Sequence, residues 1–184
     1  MRTRQPRTLA QWFEYGRQCF HQPDGIEAIA ALTKVTRLHP GYRHPDGDNP
    51  YFYLGKIHEV EGRLSQAIVY YTRALAVDAL DENSLLGRGT CYTVTHQHEA
   101  AIYDFKWLLR FPKTRRSVPE KHLFFMLAEN YNNLNQWSEA LLWGARAKAA
   151  DPGHERHRMV YNALMKSVSR KITLPNPLQA GFLN

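Results

Sequence analysis

A small residue followed twelve positions later by alanine recurs four times in this chain, as Gly16/Ala28, Gly55/Ala67, Gly89/Ala101 and Ala128/Ala140. Successive copies are offset by 39, 34 and 39 residues, which describes a 34-residue unit with two short insertions. A period of that length builds a fold by stacking one small unit on the next, because no single unit can bury its own apolar face. It also moves the functional question from one catalytic cavity to a surface that returns in every copy.

Each copy reads as two helices. In the second, Tyr51, Leu54, Gly55 and His58 share a face at i, i+3, i+4, i+7 spacing. Gly62-Arg63 breaks the run, and Ala67, Ile68, Tyr71, Ala74 and Leu75 resume it. The small residues let two helix backbones approach, while the large ones fill the space on either side. The first copy repeats this with Trp12, Tyr15 and Gly16, then Ala28, Leu32 and Val35. The third has Leu85, Gly89 and Tyr92, then Ala101, Phe105 and Leu108; the fourth has Phe124, Leu127, Ala128 and Tyr131, then Ala140, Gly144 and Ala147. Pro40, Pro112 and Pro152 stand where the pairs must stop, since proline lacks the N–H that a continuing helix needs.

These units resemble tetratricopeptide repeats. The resemblance rests on Trp12, Leu54-Gly55, Tyr92, Tyr131, the four alanines, Tyr71, Phe105, Ala74, Ala147, Pro40 and Pro152, and covers residues 9–154. It implies an all-α fold: a right-handed α-solenoid of four helix pairs, at 9–42, 48–81, 82–115 and 121–154, closed by a C-terminal capping helix at 155–171. Four positions depart from the family pattern: Arg88 replaces a leucine, Gly144 an aromatic residue, and Ala79 and Lys113 a proline.

A basic arm, residues 1–8, precedes the repeats, and a tail, residues 172–184, follows them. Pro175 and Pro177 bar helix from the tail, so it is expected to be flexible; docking of Phe182-Leu183 onto a groove is the alternative. The insertions span Arg43 to Gly47 and Arg116 to Glu120. Both read as turns, with a second reading as lips around a groove. Ser117 and Glu120 have the spacing of a capping box for the helix that follows. In the capping helix, Val160, Leu164 and Val168, flanked by Met159 and Ala163, form the apolar stripe.

Charge and motif content narrow the function. The formal net charge of +7 favours acidic partners or anionic surfaces during encounter. The basic N-terminus leads into no apolar core of a secretory signal, and no stretch approaches the roughly 20 apolar residues that span a bilayer, so a cytoplasmic setting is expected. Cys19 and Cys91 fall two units apart and read as small core residues. No glycine-rich phosphate loop, nucleophile elbow or paired-cysteine zinc pattern is present, so neither an enzyme nor a cofactor site is expected. His96 and His98 fall in a turn; His154 and His157, with Asp151 nearby, have a spacing that suits a transition metal but suits polar helix ends better.

What remains is a surface. The resemblance implies that the first helices of successive units line a concave groove for a partner's peptide or helix. By register, Phe13, Phe52, Leu86 and Phe125 form one row, and Arg17, Lys56, Thr90 and Glu129 a second, one turn further on. Exposed phenylalanines would anchor an apolar or amphipathic segment, and Arg17 and Lys56 would select its acidic residues. Alanine at Phe52 and Phe125 is then expected to abolish partner capture without affecting melting; if these rings are core, melting collapses instead. The family's clamp for a chaperone C-terminus is doubtful here, because Phe13, Arg17 and Gly87 replace clamp positions. Two other readings stand beside the groove. Basic clusters at Arg2, Arg4 and Arg7, at Lys113 to Arg116, and at Lys166 to Lys171 suit nucleic acid or an anionic membrane. Self-assembly through end faces or the tail is the other.

Overall fold

In a computed structural model the described residues are 6–21 and 25–173, and among them all regular structure is helical. Helix α1 (Leu9–Cys19) packs on α2 (Ile26–Leu38) and α3 (Pro50–Val60) on α4 (Leu64–Val77), and α5 (Glu82–Val94) and α6 (His98–Leu109) follow. Then come α7 (Glu120–Asn133), α8 (Trp137–Ala150) and α9 (Glu155–Thr173), the last running slightly beyond the expected capping helix. The chain divides into two compact units, Met1–Asp104 and Phe105–Asn184. The tail expected to be flexible or docked lies outside the described residues, as do residues 1–5 of the arm.

In the first unit the caps and the core both follow from the repeat. Thr8 accepts from the Gln11 N–H while the Gln11 side chain reaches back, a capping box that starts α1. Asn49 caps α3 by accepting from the Phe52 N–H, and its side-chain amide reaches Asp81, itself the cap of α5. That link joins the starts of α3 and α5. The core contains Leu32, Val35, Leu54, Ala67 and Tyr71, all fully buried.

The small residues act differently from the expected pairing. A Cβ on Gly16 would lie 2.7 Å from the Leu32 Cγ, and one on Gly55 would lie 2.8 Å from the Tyr71 ring. Each glycine is therefore filled by the large residue one turn beyond the conserved-register alanine. Gly87 of α5 meets the same tyrosine from another side, with its would-be Cβ 2.5 Å from Cζ. Tyr71 is thus held between Gly55 and Gly87, and its hydroxyl donates to the Glu59 carboxylate.

The departures from the family pattern have local explanations. Arg88 forms a two-pronged ion pair with the buried Asp104, at 2.9 and 2.8 Å, and donates to Thr72. Burial pushes the Asp104 carboxyl up against the pull of that guanidinium. Where Ala79 replaces a proline, Asp78 closes the turn by accepting from the Leu80 N–H. The turns inside the second, third and fourth pairs each use a left-handed residue, Gly62 (φ 75°), His96 (φ 59°) and Asn135 (φ 58°). His96 is explained by backbone geometry.

In the second unit α7, α8 and α9 pack together around Leu123, Leu127, Ala128, Ala140, Ala147 and Leu164. Gly144, in place of an aromatic, leaves room for the capping helix: its would-be Cβ lies 3.3 Å from the Leu164 Cδ1 and 3.7 Å from Tyr161. Helix α7 is capped two residues past the expected Ser117. Pro119 holds the cap position of α7, and the Glu120 carboxylate is taken by Arg116 and Lys113 at 2.8 and 3.0 Å.

The Tyr71 packing is testable. Gly87→Ala should destabilise the protein by about 1–3 kcal/mol, because a buried ring has no room to retreat. Urea denaturation should show a lower midpoint, and combining it with Tyr71→Leu should recover part of the loss.

Candidate interaction surface

The two groove rows divide between the units, and the structure sorts them by exposure. In the first unit Phe13 is fully buried. Its ring packs against Tyr42, His44 and Tyr53 at centroid distances of 5.6, 5.1 and 5.8 Å. In the second unit Phe125 is 5% exposed, stacked on His157 at 5.1 Å and covered by the Arg156 guanidinium at 4.8 Å. Neither ring is the open anchor expected from register. The reason is physical: the insertion after the first pair folds over Phe13, and the capping helix supplies His157 and Arg156 over Phe125.

Phe52 and Leu86 are less enclosed than Phe13 and Phe125. Both are half-buried at the same register on the adjacent helices α3 and α5. Phe52 rests edge-on against Tyr53 at 5.1 Å and tilts against Tyr71 at 6.3 Å, so its base is core and its rim is wet.

The second row is polar but largely satisfied within the chain. Arg17 contacts Asp46 at 2.7 Å and Asp48 and Glu14 at 3.2 Å. Those contacts raise the Arg17 pKa, chiefly through Asp46. Burial works against ionised Asp46, but His44, the Asp48 N–H and Arg17 hold its carboxyl down at about 2. Lys56 pairs with Glu59 at 3.0 Å, and the Thr90 hydroxyl donates to the Leu86 carbonyl at 2.8 Å. Glu129 pairs with Arg156 at 3.0 Å. Sequence reasoning placed these side chains by register and missed their partners, because Asp46 and Arg156 lie outside the repeated pattern and Asp48 at the first position of its copy.

The histidines and cysteines resolve into packing. His154 and His157 stack face to face at 4.0 Å, with Asp151 engaged by Lys121 at 2.8 Å. Among the described residues no group of three or more His, Cys, Asp or Glu side chains is placed to hold a metal ion. Cys19 and Cys91 are buried and not joined in a disulfide, and burial pushes the Cys91 thiol up to about 11.

Comparison with known proteins places the architecture. No protein-family model matches the sequence. A crystal structure of MamA protein superposes with a TM-score of 0.75 at 16% identity, covering 88% of this chain and 82% of that one. A tetratricopeptide repeat protein from Parabacteroides merdae gives 0.72 at 20% identity, covering 88% and 60%. YrrB, described as a tetratricopeptide protein with an unusual peptide-binding site, gives 0.58 at 22% identity, covering 73% and 64%. Over 78 residues, 42% of this chain, the sequence is 35% identical to a UDP-N-acetylglucosamine–peptide N-acetylglucosaminyltransferase of Giardia intestinalis, and the match spans 5% of that enzyme.

Two outcomes test this sorting. Phe13→Ala or Phe125→Ala should each cost about 3–5 kcal/mol of stability, as buried phenylalanines do, with urea midpoints falling accordingly. The second concerns pH. Burial pushes His157 below the ordinary histidine value and the neighbouring His154 adds to the shift; Lys121 acts in the same direction, while Asp151 opposes it. Arg156 and Glu129 face the same ring pair as an ion pair. A lowered folded pKa means that the unfolded chain takes up the proton first, so stability present above about pH 6.5 is lost as pH falls below it. Melting temperature should therefore drop between pH 7.5 and 5.5, and the drop should shrink in His157→Phe. The helix-pair architecture is that of the tetratricopeptide-repeat solenoids.

Proposed function

We propose that this chain is a non-enzymatic interaction module that holds a peptide or helical segment of a partner protein against its inner helices. The observation that carries this reading is the half-exposed pair Phe52 and Leu86, at one register on neighbouring helices, with Lys56 and Thr90 one turn further on. An aromatic ring whose base is fixed and whose rim is wet gives contact area at little entropic cost. Lys56, 41% exposed beside Glu59, offers a partner's carboxylate a cation without a large desolvation penalty. The description of YrrB as peptide-binding supports the same use of the fold. A cytoplasmic setting suits the two buried thiols, and among the described residues no helix is long and apolar enough to cross a membrane.

Self-association is a second reading with an observation of its own. A cleft of about 840 Å³ opens along α1 and α2, lined by Arg7, Gln11, Trp12, Tyr15 and Ala30, on residues that the groove rows do not use. The basic reading is weaker at one of its clusters, since Lys113 and Arg116 are paired with Glu120.

The test is capture from source lysate by wild type and by Phe52→Ala/Leu86→Ala. Wild type should retain partners that the double variant loses, with helicity unchanged and melting lowered only slightly. Retention insensitive to the two substitutions, but lost steeply with salt, would point to a phosphate-bearing ligand instead.

A further inference from the structure

The insertion that interrupts the repeat after α2 behaves as a ligand. His44 and Asp46 of the insertion, with Tyr42 and Asp48 on either side of it, meet helices α1 and α3. Tyr42 and His44 cover the Phe13 ring, and Asp46 and Asp48 take Arg17. Tyr53 of α3 closes the site from the other side, packing on Phe13 and donating its hydroxyl to Asp48. A tight turn sets the spacing: the His44 N–H donates to the Asp48 carbonyl at 2.8 Å and the Gly47 N–H to the His44 carbonyl at 2.9 Å. Gly47, at φ 98°, permits it. Arg43 ties the turn to the end of α4 through Asp78 at 2.8 Å.

A loop needed only to connect α2 to α3 has no reason to combine these features. The offset to the next copy without an insertion is 34 residues, and this one is 39, so the connection is longer than the fold requires. The added residues place the His44 ring on Phe13 and the Asp46 carboxylate on Arg17, and their turn brings the flanking Tyr42 and Asp48 to the same two side chains. That is the ligand chemistry which an aromatic side chain next to an arginine would recognise in a partner.

We infer that Phe13, Arg17 and Tyr53 form a binding subsite for an acidic, turn-forming peptide segment bearing an aromatic residue, and that the insertion is its resident internal ligand. A partner segment of the same chemistry binds there by displacing the insertion, so the chain competes with its own partner at this end of the surface. This rests on the reading of the inner helices as a peptide-binding surface, and it adds the ligand class and the competitor. Displacement exchanges one set of ion pairs for another of the same kind, so the internal ligand lowers apparent affinity without altering what is recognised.

The probe is a fluorescent peptide carrying the sequence of residues 41–49, read by anisotropy against the full chain. Wild type should bind it weakly. Deleting residues 43–47 restores the 34-residue period, removes the His44 and Asp46 contacts together with the turn that presents Tyr42 and Asp48, and should raise affinity at least tenfold. Arg17→Ala in the deleted chain should abolish that gain, and a scrambled peptide should not bind. Circular dichroism and a cooperative melt establish that the deleted chain folds. Should it not fold, Asp46→Asn/Asp48→Asn in the full-length loop carries the test, because it cuts both contacts to Arg17 while keeping the chain length; its affinity should also rise. A folded variant of either kind that binds no better than wild type, or binds the scrambled peptide equally, overturns the inference. Such a failure leaves capture at Phe52 and Leu86 unaffected, so it is distinct from failure of the proposed function.

Discussion

The first unit depends on one buried ring. Tyr71 sits where its own repeat and the next one meet, and it fits only because Gly55 and Gly87 carry no side chains. Its hydroxyl then reaches Glu59, whose carboxylate also takes Lys56. Packing and surface chemistry are thereby coupled: the residue that spaces the helices also fixes the acid that positions the Lys56 cation. Burial holds the Tyr71 hydroxyl protonated by raising its pKa strongly, so this donor persists across the physiological range.

The charged residues of the second register row are more self-satisfied than their residue types suggest. Arg17, Lys56 and Glu129 each have an opposite charge within 3.2 Å on the same chain. Partly exposed pairs of this kind contribute little stability, on the order of 0–1 kcal/mol each, so exchanging them for a partner's charges costs little. Such pairing suppresses indiscriminate attraction of anions by a chain of net charge +7 while leaving specific exchange open.

Much of the fold was legible because it is periodic. The small-residue register, the turn positions and the proline stops recur, so each copy checks the others, and helices α1 to α8 follow from them. Legibility ended where periodicity ended. Phe13 and Phe125 occupy the same register, yet each is buried by something outside the repeat: the 42–48 turn in one unit and α9 in the other. The same holds for Arg88, whose departure from the family pattern made sense only once Asp104 appeared beneath it. Register fixes the direction of a side chain; it does not say what lies above it.

Site-specific photo-crosslinking tests the central claim most directly, namely that partners meet this chain on its inner helices. A benzophenone side chain would replace Phe52 on α3 in one sample and the exposed Val69 on α4 in another, each irradiated in source lysate. The account predicts discrete crosslinked species from position 52 and none above background from position 69. Crosslinks from position 69 alone would contradict it.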